Sequence, residues 1–307
     1  MRSRFPPYSS ALDLQGAFAR LSKRGFAANN LGESLQQLTA ATSRMLDVER
    51  VSLWGLSQQR STLECIDLYE LSTGRHSHGL TLSVKHFPEY FKAFFAGEPI
   101  VVDDALKHPA TLELVDEYLL LNGISAVIHS PVHVNGELQG TLWVEQVGTH
   151  SAWTSVQRLF AHAVASLVGM ALVQHQLAVA EDELRAAKSL QRALFAAASE
   201  AIVISDAQTG DVLDANPQAE KLFGLDLSQL LGAMASKLHF PDQDVDVRQL
   251  ISQLIESGGS RALHSQVRAP DGKLIPVEVT RSVVELDTGK TIVQDHFRPL
   301  PNEEHKE

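Results

Sequence analysis

The chain has 307 residues, 44% of them hydrophobic, a formal net charge of −11 and a single cysteine, Cys65. That length accommodates two domains of roughly 100–200 residues each, and the acidic balance excludes non-specific nucleic-acid binding, which needs basic surface. One cysteine excludes an internal disulfide and any multi-cysteine metal site. No run approaches ~18 uninterrupted apolar residues, so no membrane span is expected, and Met1-Arg2-Ser3-Arg4-Phe5-Pro6-Pro7 lacks the apolar stretch of a secretory signal. The expectation is a cytoplasmic protein with no membrane association.

Residues 1–27 form an N-terminal segment, of which residues 1–15 carry Pro and Ser and are expected to be weakly ordered. Leu31, Leu35, Leu38, Thr42 and Met45 fall at helical spacing. Val51-Ser52-Leu53-Trp54 alternates as a strand, with Thr62–Leu71 as its hairpin partner. Pro88–Phe95 predicts a short helix bearing Tyr90, Phe91, Phe94 and Phe95, closed at Gly97. A short strand follows at Ile100–Val102, a helix at Thr111–Leu121 stopped by Asn122-Gly123, and a strand at Ala126–Val134. Asn135-Gly136 signals a hairpin into a return strand, Gln139–Gln146, and Trp153 opens a long helical stretch.

Several pieces of this stretch stand in a telling order: Gly97-Glu98-Pro99-Ile100-Val101-Val102-Asp103-Asp104-Ala105, Gly123-Ile124-Ser125-Ala126, Ser130-Pro131-Val132, Asn135-Gly136-Glu137-Leu138-Gln139-Gly140 and Thr141-Leu142-Trp143-Val144-Glu145. Together they resemble a GAF domain over residues 28–172. The resemblance implies a ligand pocket lined by the stretch before Ser130. His129 and Trp143 would face it, with Glu145 beside them and Trp54 as a further wall. The other reading of these residues is core packing. An imidazole beside an indole face suits a planar or charged small ligand. Cys65 is followed by Ile66 rather than the His usual at a bilin attachment cysteine, which argues against a light sensor.

Thirteen histidines invite a metal reading. His129 and His133 share a strand face but lie ~13 Å apart, too far for one metal. His76 and His78 are expected as solvated loop residues. No metal site is expected.

From Ser155 to Ala197 little breaks a helix. One seven-residue series holds Met170, Leu177, Leu184 and Gln191; the other holds Val173, Ala180, Ala187 and Leu194. This is a coiled-coil seam over residues 165–197 and predicts a parallel homodimer; the alternative is an amphipathic helix lying on its own domain.

Beyond it, Gly210-Asp211-Val212-Leu213-Asp214-Ala215-Asn216-Pro217 through Phe223-Gly224 reads as a strand and a short helix opened by Asn-Pro. Ala269-Pro270-Asp271-Gly272-Lys273-Leu274 through Val279 reads as a hairpin. Both motifs, in this order, resemble a PAS domain over residues 192–298. Its pocket or core is expected to include Ile202, Ile204, Asn216, Phe223, Phe240, Leu250, Leu254 and Val267. The helix expected at Val245–Ser257 has no His and neither His239 nor His264 matches a haem ligand. With no cysteine in this half, covalent flavin chemistry is excluded. Residues 299–307 are expected as a disordered tail.

The reading is an α+β chain of two sensor domains with antiparallel sheets joined by a long helix. It would perceive a small ligand and relay a change to a signalling partner (a kinase, cyclase or regulator) without catalysis. The alternatives are the input half of a larger histidine kinase or diguanylate cyclase, and a haem- or flavin-bound gas or redox sensor. No cofactor is assigned.

Overall fold

Leucines at helical spacing form α1 (Leu31–Leu46), which buries Leu35, Leu38 and Leu46. The structure, a computed structural model, describes residues 31–148, 152–239, 260–269 and 271–301. The chain divides into two compact units, residues 1–182 and 183–307.

In the first unit, β1 (Arg50–Leu56), β2 (Thr62–Glu70), β3 (Arg75–Ser77), β4 (Thr81–Ser83), β5 (Ile100–Val102), β6 (Ile124–Val134) and β7 (Glu137–Val147) form an antiparallel sheet. Its order is β3-β2-β1-β7-β6-β5, with β4 also on β2. The β6–β7 hairpin turns at Asn135 and Gly136, both with positive φ, as a two-residue turn matched to strand twist requires. Strand alternation then gives each face its own core. Val51, Leu53, Ile128, Val132, Leu142 and Val144 pack beneath the helical layer with residues of α1. Trp54, Leu68, Val127 and Trp143 pack on the other side with Tyr90, Phe91 and Phe94 of α2 (Pro88–Phe95).

The helix expected at Thr111–Leu121 takes a different form. It is a 3-10 turn, Leu112–Leu114, followed by a π turn, Val115–Leu119. The Leu120 amide bonds the Val115 carbonyl at 2.9 Å, five residues back. This wider turn brings Leu114, Tyr118 and Leu119 to the core together while Leu120 and Leu121 stay exposed.

α3 (Ser155–Ala197) is continuous. Its first part buries Phe160, Val164, Leu167 and Val168 in the same core as α1. Close approach needs Gly169, where a Cβ would meet the His133 carbonyl oxygen at 2.4 Å. By length and composition α3 could cross a bilayer, yet 44% of its apolar window is buried within the protein. That packing accounts for much of its apolarity. From Glu181 to Leu190 every residue is exposed.

In the second unit, β8 (Ala201–Asp206), β9 (Val212–Ala215), β10 (Ser260–Arg268), β11 (Leu274–Glu285) and β12 (Thr291–Pro299) form an antiparallel sheet of order β10-β11-β12-β8-β9. The helices are α4 (Pro217–Phe223), α5 (Leu227–Leu230) and α6 (Ala235–His239). Gly224 closes α4 in the left-handed conformation. The core gathers Ala201, Val203, Phe223, Val267, Val277, Val279 and Phe297. This corrects the expected pocket wall: Ala201 and Val203 face the core, so Ile202 and Ile204 lie on the opposite sheet face. A one-residue difference in strand phase exchanges the two faces. Arg281 and Asp295, direct cross-strand partners, form a buried two-pronged ion pair at 2.6 and 2.9 Å. Phe240, Leu250, Leu254, the expected Val245–Ser257 helix, residues 1–27 and residues 302–307 lie outside the described residues.

Candidate functional site

The cross-strand register assembles the site. Arg50 of β1 pairs directly with Glu70 of β2 and with Glu145 of β7. Two residues along, Ser52 pairs with Trp143, and Trp143 with His129 of β6. Alternation sends all of these side chains to the face under α2 and the 112–119 segment. His129 and Trp143, singled out from sequence, stack with centroids 4.0 Å apart and planes 7° apart. Trp54 lies against the other side of Trp143 at 4.6 Å. Tyr90 and Tyr118 meet Trp143 edge-on at 5.6 and 5.5 Å. Such edge-to-face pairs add about 0.5–1.5 kcal/mol each beyond their burial.

Polar groups run through this aromatic cluster. Glu145 is fully buried, and its Oε2 accepts from Arg50 Nε and from the Tyr118 hydroxyl, both at 3.2 Å. Arg50 Nη1 reaches Glu70. Trp54 Nε1 donates to Ser52 Oγ at 2.8 Å, and His129 Nδ1 lies 3.3 Å from the Tyr90 hydroxyl. Among the described residues, four buried side-chain atoms have no hydrogen-bond partner: His129 Nε2, Trp143 Nε1, Glu145 Oε1 and Ser130 Oγ. The first three share one face; strand alternation puts Ser130 on the other. Trp143 Nε1 lies near the Tyr90 hydroxyl without an aligned bond to it. An unsatisfied buried polar atom costs about 1–3 kcal/mol, and three of them stand on this one face.

The charges follow from burial. It pushes the Glu145 carboxyl up to about 7, against the opposing pull of Arg50 and Tyr118. It holds His129 down to about 3, so this imidazole is neutral near pH 7. It raises the Tyr90 and Tyr118 hydroxyls well above their ordinary value. Cys65, in the same core, is pushed up to about 12 by burial and by nearby Asp67 and Glu145. It is an inert thiol at neutral pH.

Residues 30–172 match the GAF domain family and residues 190–293 the PAS fold. The chain is a tandem of a GAF domain and a PAS domain. Both are sensory domains. No curated protein is similar enough to count as a match. Among solved structures, the GAF half is similar to the GAF domain from a phosphoenolpyruvate-protein phosphotransferase of Coxiella burnetii, at 20% identity over 56% of this chain and 99% of that one, with a TM-score of 0.44. It is also similar to the phycocyanobilin-bound GAF domain from a cyanobacterial phytochrome, at 15% identity over 53% and 96% of the two chains and a TM-score of 0.46. The PAS half is similar to the PAS domain of an HTR-like protein from Haloarcula marismortui, at 25% identity over 39% and 97% and a TM-score of 0.33.

The four GAF residues proposed from sequence, His129, Trp143, Glu145 and Trp54, thus come together. Arg50, Ser52, Tyr90 and Tyr118, which belong to no motif in the sequence, complete the cluster. For Arg50 and Ser52 the signal was present, because they alternate with Trp54 on one strand. His76 is exposed as expected but lies on β3 rather than in a loop, with Nδ1 2.9 Å from Asp67, which also accepts from Thr39 Oγ1. Among the described residues no cluster of three or more His, Cys, Asp or Glu could hold a metal.

In the PAS domain, Phe223 and Val267 are core residues. Asn216 is fully buried, and its side chain is committed to backbone. Its Oδ1 accepts from Ala219 N at 2.9 Å, capping α4, and from Ile202 N at 2.8 Å. Its Nδ2 donates to the carbonyls of Glu200 and Phe195. On α3, Met170, Leu177, Leu184 and Leu194 are all more than half exposed. Ala180, Ala187 and Gln191 are exposed and Val173 is half-buried. A groove of about 440 Å³ opens between β6 and α3, lined in part by Pro131, His133, His162, Met170 and Val173. It is separate from the aromatic cluster.

Proposed function

We propose that this protein perceives a small molecule in its GAF domain and relays the change through a homodimer to a signalling partner, without catalysing a reaction. The observation that carries the reading is the grouping of three unpartnered polar atoms, on His129, Trp143 and Glu145, inside a fully buried aromatic cluster. A ligand that satisfies them recovers the cost of leaving them unpaired. The relay is α3, whose exposed heptad stripe is the face on which a second copy would pack. The PAS domain at its end offers a docking surface to a kinase, cyclase or regulator. A net charge of −11 and a lone buried thiol fit a cytoplasmic setting away from nucleic acid.

Native mass spectrometry of the full chain purified from its own host tests this reading. The expected result is a dimer carrying a small molecule that is lost on His129→Ala or Trp143→Phe. Chain without any bound mass across growth conditions, together with no change in melting temperature across a metabolite library, would overturn it.

A further inference from the structure

The interior site of the GAF domain also constrains what it can hold, and this inference rests on the ligand-sensing reading above. Trp143 Nε1 can only donate a hydrogen bond. Glu145 Oε1 lies on a carboxyl whose other oxygen is occupied by Arg50 and Tyr118. Once the carboxyl has lost its proton, above about 7, this oxygen accepts. The two residues are two apart on β7 and share a face, so one molecule can reach both. His129 Nε2, stacked on Trp143, adds a third contact whose role is set by the bond its Nδ1 shares with Tyr90.

Charge narrows the choice. Glu145 already faces the Arg50 guanidinium, which also reaches Glu70. The other titratable groups around the site, His129, Tyr90, Tyr118 and Cys65, are buried side chains that carry no charge at neutral pH. An ionic ligand would lose its hydration in a site whose charges are already matched. Size narrows it further. Ring centroids 4.0 to 6.2 Å apart are in direct packing contact, so a molecule enters only where one wall yields and must be small. The wall that can yield is the 112–119 segment, since Tyr118 stands on its π turn and such turns recur at functional sites. That segment is fastened at its outer edge by two contacts to the start of α2: Glu113 accepts from the Tyr90 amide at 3.0 Å, and Glu117 meets His86 at the surface.

We infer that the GAF interior binds a compact, uncharged molecule with an N–H group next to a carbonyl, of the amide, lactam or urea type. The N–H donates to Glu145 Oε1 and the carbonyl accepts from Trp143 Nε1.

The test is a titration of the full chain, labelled with nitrogen-15 at its tryptophan indoles and followed by NMR. The probes are 2-pyrrolidinone (a small lactam), cyclopentanone (its shape without the N–H) and acetate (a charged analogue). The expected result is a saturable shift of the Trp143 indole resonance by 2-pyrrolidinone, with cyclopentanone and acetate weaker by roughly tenfold or more. Trp143→Phe assigns the resonance and, read through melting temperature, should weaken 2-pyrrolidinone by roughly tenfold; an unmoved Trp153 resonance, from the opposite face of the sheet, shows that the variant is folded. If it does not fold, the comparison of the three probes on the parent protein decides alone. Equal or stronger response to cyclopentanone or acetate would overturn the ligand class and leave the sensing reading standing. No response to any probe, with a bound mass seen by native mass spectrometry, would do the same. No response and no bound mass would overturn both.

Discussion

Asn216 holds the end of the connecting helix: its Nδ2 donates to the Phe195 carbonyl of α3 at 3.3 Å and to the Glu200 carbonyl at 2.9 Å. The same side chain caps α4 and bonds the start of β8. One amide therefore ties α3 to the two elements that open the PAS core. Asn216→Asp keeps the acceptor and replaces the donor by an oxygen facing two carbonyls. It should destabilise the PAS domain by roughly 2–3 kcal/mol. All three tryptophans, Trp54, Trp143 and Trp153, lie in the first unit. Far-UV circular dichroism should therefore show an earlier unfolding phase while tryptophan fluorescence keeps its parent midpoint. A shift of the fluorescence midpoint instead would contradict the assignment.

The interior carboxyl gives stability an unusual pH dependence. Glu145 binds its proton more tightly in the folded state, at about 7 against an ordinary 4.5. Its contribution is therefore unchanged below 4.5 and becomes progressively destabilising from 4.5 to 7, by roughly 3 kcal/mol in all. His129 acts in the opposite sense: held at about 3 against 6.5, it destabilises as pH falls from 6.5 to 3. Between 4.5 and 6.5 the two slopes oppose each other. Glu145→Gln removes one of them, so the stability of this variant relative to the parent should rise with pH from 4.5 to 7 and then level off. Urea denaturation followed by tryptophan fluorescence at half-unit steps measures it. A constant difference across that range would show that Glu145 does not titrate there.

Gly169 sets how near α3 comes to β6. An added methyl would sit 2.4 Å from the His133 carbonyl oxygen, which is backbone and cannot swing aside. Gly169→Ala should cost about 1–3 kcal/mol by overpacking, seen as a lower urea midpoint with an unchanged slope. Parent-like stability would mean that the helix rides farther from the strand.

Much of this was legible because strand alternation and turn residues are local signals. Asn135-Gly136 fixed the β6–β7 hairpin, and that hairpin places His129 opposite Trp143. Asn216-Pro217 and Gly224 bracketed α4 for equally local reasons. What escaped was non-local or depended on phase. Arg50 looks like an ordinary strand-edge charge until β2 and β7 close on either side of it with Glu70 and Glu145. The π turn at Val115–Leu119 is invisible to a 3.6-residue period. Ile202 and Ile204 take the opposite face to the one expected because a short run of apolar residues does not reveal which parity faces inward.

The seam on α3 predicts association. Replacing Leu177 and Leu184 by Glu puts like charges opposite each other in a parallel pair, where they repel and lose solvation. Light scattering at tens of micromolar should give twice the chain mass for the parent and the chain mass for the variant. A monomeric parent, or a variant still dimeric, would reject the seam.

The π turn is an α-helical turn that has accommodated one extra residue. Deleting a single residue between Leu114 and Leu119 would let the segment close into an ordinary turn. Residues beyond the deletion would keep their place, and the side chains inside the turn, Tyr118 among them, would be redistributed around the local axis. Tyr118, whose hydroxyl now meets Glu145 at 3.2 Å, would be carried off the buried carboxyl. A one-codon change in length, with no substitution in the cluster itself, is thus enough to rewire the hydrogen bonds of this interior.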